Sequence, residues 1–156
     1  MRGLIKSFKF AFRGVLRTTQ KERNFRIHLV CMIYMYAFLG IFDWFVLDKA
    51  QWAILFIANA IVLSAEIFNT AIEALVDLAT RQQHPLAAIA KDCAAGAVLI
   101  CAVMAVAVGV ILLWQPSAFT AMYDYFRTHL WMLAAFVISL GISMTFIFGK
   151  KRNTPK

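Results

Sequence analysis

Charge is scarce in this sequence. Asp, Glu, Lys and Arg make up 15% of the 156 residues, against about 25% in an ordinary soluble domain. Cysteine is nearly absent too. Cys31, Cys93 and Cys101 form an odd set with no metal-ligand spacing, which excludes a disulfide framework and a zinc site. The seven glycines are scattered singly. No GxxxxGK[ST] loop and no protein-kinase glycine loop is present, so neither common nucleotide cradle is available. A secretory signal pattern is missing as well, because the basic residues of the N-terminus recur throughout instead of preceding an apolar core. That stretch is acid-free up to Lys21 and amphipathic, as a mitochondrial presequence would be, but it runs into the first apolar segment without a cleavage-like boundary.

What is abundant is apolar surface, with 62% hydrophobic residues and a mean hydropathy of +0.73. Segments 52–75, 93–114 and 130–149 are long enough to span a bilayer and contain no basic residue. A fourth, 27–47, is interrupted by His28 and Asp43, both near its ends, where they can reach headgroups. The expectation is an all-α integral membrane protein with four transmembrane helices.

The net charge of +8 sets topology and membrane contact instead of recruiting nucleic acid. Arg2, Lys6, Lys9, Arg13, Arg17, Lys21, Arg23 and Arg26 precede the first span. Arg81 and Lys91 lie between the second and third, and Lys150, Lys151, Arg152 and Lys156 follow the last. If four spans alternate, all of these share one side, leaving Lys49 and Arg127 on the other. The positive-inside rule then predicts cytoplasmic termini and a cytoplasmic 76–92 connection. Within residues 2–20, Arg2, Lys6, Lys9, Arg13 and Arg17 line one helical face, while Leu4, Phe8, Ala11, Phe12 and Val15 line the opposite one. This periodicity predicts a helix lying in the membrane interface. The small residues Ala94, Ala95, Gly96 and Ala97 predict close helix approach. Residues 115–129 read as a semi-polar outer connector whose aromatics are interfacial.

The chemistry is concentrated on the second span. At 100° per residue, Glu66, Asn69, Thr70, Glu73 and Asp77 share one face, and Asn59 extends the stripe outward. At about 1.5 Å per residue, Glu66 to Asp77 covers about 16 Å, from inside the bilayer to its surface. An ionised carboxylate at mid-membrane costs about 2.5–3.5 kcal/mol, so these acids must face protein, water or metal. They could simply pair with cations from the cytoplasmic ends. Phosphoryl transfer would use them more fully. It needs magnesium held by one or two carboxylates, a base for the accepting hydroxyl, and cations around the transferred group. Glu22, Glu73, Asp77 and Asp92 can meet near the boundary, with Lys91 as a phosphate contact. Glu66, deeper and in apolar surroundings that would raise its pKa, suits a general base for a lipid alcohol. A small proton or cation transporter is the alternative use of the same stripe.

The run Glu66-Ile67-Phe68-Asn69-Thr70-Ala71-Ile72-Glu73-Ala74-Leu75-Val76-Asp77 resembles the E-x-x-N-[ST]-A-x-E-x-x-x-D signature of the prokaryotic diacylglycerol kinase family. Ala90-Lys91-Asp92, Ala95-Gly96-Ala97-Val98 and the junction Glu22-Arg23-Asn24-Phe25-Arg26-Ile27-His28 fit the same pattern, over roughly residues 5–114. The resemblance implies a homotrimeric lipid kinase of the bacterial cytoplasmic membrane, using ATP and Mg2+, with active sites shared between subunits. It implies Glu66 as general base, Glu22 and Glu73 as metal carboxylates, and Asn69, Asp77, Lys91 and Asp92 in nucleotide binding or catalytic support. It also implies His84 as a nucleotide contact. The loop before it reads Gln82-Gln83, where many relatives have an acid and a tyrosine, and Phe10 replaces a frequent tyrosine. Those contacts are left open. The forms Glu-Arg-Asn-Phe-Arg-Ile-His and His-Pro-Leu before Ile-Ala-Lys-Asp look more like the undecaprenol kinases of the family than its diacylglycerol kinases. The family-like domain is therefore placed at 1–114. Residues 115–156 add a connector, an extra span and a basic tail, which members usually lack. Added packing or anchoring is the simple reading of that extension, and a regulatory or docking role is the other.

Overall fold

A computed structural model describes residues 2–80 and 82–149, except for the side chain of Arg2. Arg81 and the basic residues from Lys150 onward, used above to argue topology, lie outside the described residues. The described residues form six helices: α1 (Arg2–Lys21), α2 (Arg23–Ile41), α3 (Lys49–Ala79), α4 (Pro85–Leu113), α5 (Pro116–Thr128) and α6 (Leu130–Phe148). Four of them, α2, α3, α4 and α6, are long and apolar enough to cross a membrane.

Helix α3 has 31 residues and α4 has 29. At about 1.5 Å per residue each exceeds the hydrocarbon core of about 30 Å by more than two turns. The extra turns carry polar residues beyond the apolar zone. The expected polar connection at 76–92 is accordingly mostly helical, with α3 running to Ala79 and α4 starting at Pro85. Hydropathy marks where a helix leaves lipid, not where its hydrogen bonds stop. The first span is shorter than the expected 27–47, since α2 ends at Ile41 and Phe42 is already extended. The connector at 115–129 is itself helical, because Pro116 opens the 13-residue helix α5.

Helix ends explain these boundaries. Asp48 caps α3, its carboxylate accepting from the Gln51 amide at 2.8 Å while the Gln51 side chain accepts from the Asp48 amide at 2.9 Å. Pro85 and Pro116 stand at first-turn positions, where a missing N–H is harmless. His84 caps α4, its Nδ1 accepting from the Leu86 amide at 3.2 Å.

Helices α3 and α4 form the most extensive pair, α2 packs on α3 and α6, α1 touches α2 and α3, and α5 packs on α6. Among the small residues opening the third span, Ala94 is buried, as is Val98 one turn on. Gly96 faces open space, so its size is not needed for contact within one chain. The apolar face of α1, with Leu4, Phe8 and Phe12 exposed, is uncovered as an interfacial helix requires.

At the end of the bundle away from α1, aromatics tie the loops together. Phe42 stacks on Trp44 at 4.0 Å, and Trp44 meets Tyr125 edge-on at 5.3 Å. The Gln115 side chain accepts from the Val46 amide and donates to the Val46 carbonyl, both at 3.1 Å. It thereby clasps the α2–α3 turn.

Loss of the α3 cap should be measurable. Asp48→Ala is expected to destabilise the micelle-solubilised protein by about 1 kcal/mol in SDS titration, whereas Asp48→Asn retains most of the stability. Equal stability of Asp48→Ala and the parent would rule out the cap.

Candidate functional site

The acidic face of α3 points into the protein where its depth demands it. Glu66 is 2% exposed and Asn69 9%. Glu73 is half-buried and Asp77 exposed. Exposure thus rises along the stripe toward the end of the bundle where α1 meets α2. Further from that end, Asn59 donates to the Tyr36 hydroxyl at 3.1 Å and to the Leu55 carbonyl at 2.8 Å. It is a structural link between α2 and α3.

Glu66 meets α2. Its Oε1 lies 3.5 Å from Nε2 of His28, and that oxygen is buried without a hydrogen-bond partner. His28 therefore turns toward α3 instead of reaching headgroups. It belongs to the site although its place in an apolar run gave no sign of it; only the packing of α2 on α3 reveals the pair. The Thr70 hydroxyl, by contrast, donates to the Glu66 carbonyl at 3.0 Å and is occupied by its own helix.

Two turns along α3, Glu73 is the centre of a second group. Its Oε1 accepts from Asn69 Nδ2 at 3.1 Å, and its Oε2 accepts from Lys21 Nζ at 2.9 Å. The same ammonium lies 3.2 Å from Glu22 Oε1. Partial burial opposes the charge of Lys21, but hydrogen bonding to Glu73 and the contact with Glu22 outweigh it. Its pKa is held above the ordinary lysine value of 10.5. Lys21 was legible only as one more basic residue before the first span. The alternative of simple charge pairing is thus realised in part, since Glu73 takes a cation from the end of α1.

The break between α1 and α2 creates this arrangement. Glu22 is extended, at φ −100° and ψ 118°, and caps α2 without a side-chain hydrogen bond. Its Oε1, like Asn69 Oδ1, is buried without a hydrogen-bond partner. Two carboxylates therefore converge on one ammonium, and the Asn69 amide, bonded to one of them, leaves its own oxygen unpaired. Such oxygen donors fit a hard divalent ion, which usually takes one or two carboxylates and completes its shell with water and phosphate. Among the described residues no cluster of three His, Cys, Asp or Glu side chains could hold a metal by itself.

Asp77 and Asp92 do not join that group. Asp77 pairs with Lys91 across the α3–α4 turn, and Asp92 is exposed with no ion pair among the described residues. Adjacent residues on a helix point about 100° apart, so Lys91 reaches α3 while Asp92 does not. Beside the Asp77–Lys91 pair lies an open cleft of about 620 Å³, lined by Asp77, Thr80, Gln82, Gln83, His84 and Lys91 among others. The expected nucleotide contacts other than Asp92 thus divide between the Glu22–Glu73 group and this cleft.

The sequence model of prokaryotic diacylglycerol kinases matches residues 9–113, from within α1 to the end of α4. The diacylglycerol kinase of Synechocystis sp. is 41% identical over 114 residues, covering 72% of this chain and 63% of that protein. The undecaprenol kinase of Bacillus subtilis is also 41% identical, over 109 residues, covering 69% of this chain and 85% of the relative. The diacylglycerol kinase of Escherichia coli is 32% identical over 112 residues, 72% of this chain and 89% of the relative. The match spans less than two thirds of the Synechocystis protein and most of the other two. Helices α5 and α6 lie beyond the family match. With the acidic stripe, the Glu22 junction and three of the four apolar helices inside the matched region, this multi-pass membrane chain belongs to the prokaryotic diacylglycerol kinase family.

Proposed function

We propose that this member of a lipid-kinase family transfers the γ-phosphoryl group of ATP to the hydroxyl of a membrane alcohol, with undecaprenol as acceptor. One observation carries the reading: the two polar groups on α3 differ in depth. Glu66 is buried beside His28. Glu73 sits seven residues, or about 10 Å, nearer the end where Lys21 and Glu22 join it. A lipid hydroxyl can approach the deeper group from the membrane, while a charged nucleotide stays with the outer one.

In that arrangement Glu66 takes the hydroxyl proton as the alcohol oxygen bonds to the γ-phosphorus. The bond to the β–γ bridging oxygen breaks, and ADP leaves with that oxygen. A base must lie within hydrogen-bond reach of the proton it removes, and the Glu66 Oε1 that lacks a hydrogen-bond partner has a free lone pair for it. Asn69 holds Glu73 through its amide. Glu22 and Glu73 would hold magnesium, which when bound neutralises charge on the phosphates. Lys91, Asp77 and His84 border the cleft proposed for the rest of the nucleotide, and Asp92, outside that lining, would give catalytic support from the next position on α4. Subunits would assemble as a homotrimer with shared sites, in the bacterial cytoplasmic membrane and with both termini in the cytoplasm.

The undecaprenol preference is supported by the Glu22–His28 junction and the His84-Pro85-Leu86 turn. Diacylglycerol is the second reading, favoured by the equal 41% identity to a relative that bears that name.

Three outcomes are expected. Glu66→Gln should lower kcat at least about a hundredfold while leaving assembly intact; retained turnover would remove Glu66 as the base. Glu22→Gln and Glu73→Gln should each raise the magnesium concentration for half-maximal rate by about tenfold or more, roughly the loss of one charged ligand. An unmoved metal response in both would dissolve the assignment. Radiolabelled ATP in mixed micelles should label undecaprenol faster than diacylglycerol. The opposite order would establish the second reading, and ion flux in sealed vesicles with neither lipid labelled would favour a transporter.

A further inference from the structure

The kinase site occupies α1 through α4 and leaves α6 without a task. We propose that α6 is a brace for the α1–α2 junction, acting through Arg26, which is a positioning residue for Lys21 and Glu22 against Glu73. The inference rests on the reading of Glu22 and Glu73 as the carboxylates that serve magnesium and phosphate.

Arg26 stands in the first turn of α2. Its guanidinium carries five donors in a rigid fork. Nη1 donates to the carbonyls of Thr19 at 3.0 Å and Gln20 at 3.2 Å, in the last turn of α1. Nε and Nη2 both donate to the Ile147 carbonyl of α6, at 3.1 and 2.8 Å. All three acceptors are carbonyls at helix C-termini, which lack partners in their own helices and carry partial negative charge. One cation therefore joins the ends of two helices. Thr19 and Gln20 immediately precede Lys21 and Glu22, so whatever fixes Arg26 also fixes the approach of those side chains to α3.

The contact is specific. Phe25 and Ile147 are buried there, and the Arg23 guanidinium lies 5.9 Å from the Phe148 ring centroid. At Gly149, which ends α6, a Cβ would come within 2.6 Å of the Thr145 carbonyl oxygen. Eight residues along α2, the Tyr34 hydroxyl donates to Ser139 at 2.8 Å and lies 3.0 Å from Ser143. This second polar contact fixes the register of α6 on α2. A span serving only as an anchor would need neither.

Zero-length carbodiimide cross-linking of the full-length protein tests the brace. Lys21 and Glu73 are in hydrogen-bond contact, and the Lys91–Asp77 pair, which α6 does not touch, is an internal reference. In Arg26→Lys and in Tyr34→Phe, the Lys21–Glu73 yield should fall at least about threefold relative to Lys91–Asp77, the weight of a lost hydrogen bond. The KM for MgATP should rise about as much, while kcat and the lipid KM stay within about twofold. An unchanged cross-link ratio in both variants overturns the brace whatever the kinetics. A fall in Arg26→Lys alone overturns it too, since Arg26 would then act within α1 and α2 without α6. A fallen ratio in both with an unmoved KM upholds the brace and removes Glu22 and Glu73 from the nucleotide site instead.

Discussion

Burying the Glu66 carboxylate on a membrane-spanning helix constrains everything around it. At mid-membrane an ionised acid costs about 2.5–3.5 kcal/mol on insertion scales, and lipid offers it no hydrogen bond. The chain answers by turning the deep part of the polar face of α3 inward and laying α2 across it, so that His28 meets Glu66. The answer is incomplete, because one oxygen is left without a donor. A purely structural acid would be expected to have that oxygen satisfied, since an orphaned buried acceptor costs about 1–3 kcal/mol. An acid that must accept a proton from a substrate needs it free.

The same constraint shapes the ends of α3 and α4. Both outrun the hydrocarbon core, and their extra turns bring Glu73, Asp77 and Lys91 to a zone where water and ions are accessible. Here the acids are paired with cations rather than buried, Glu73 with Lys21 and Asp77 with Lys91. Pairing by mobile ammonium groups is reversible, and a lysine released from its carboxylate remains charged and available to phosphate. Deep acid and shallow ion pairs are thus two responses to one gradient of polarity along a single helix.

Much of this was legible in the sequence, for a physical reason. A helix in lipid has a period and a prohibition on charge, and together they make the Glu66–Asp77 stripe conspicuous and its inward orientation obligatory. The partners were not legible, because they lie on other helices. Lys21 reads as a topogenic charge and His28 as a residue near a span end, until α1 and α2 are placed against α3. Asp92 erred the other way: it stands next to Lys91 in sequence, yet the rotation between neighbours sends only one of them toward Asp77. Helix ends were misjudged wherever hydropathy stood in for hydrogen bonding, as at Ala79, Pro85 and Ile41.

The placement of α5 and α6 bears on how a longer chain keeps the family site working. Both dock on the α2 side of the bundle, through the Arg26 and Tyr34 contacts at one face and the Trp44–Tyr125 cluster at the far end. The lipid-exposed groove between α3 and α4, lined by Ile57, Ile61, Ile100 and Met104, is left uncovered. An added helix packed into that groove would cover apolar surface that α3 and α4 leave open. Packed on α2, it leaves that surface open and comes to rest against the break between α1 and α2, at Glu22. An extended residue between two helices is where the framework is most easily deformed. A new helix contributes most to the site by stiffening that point.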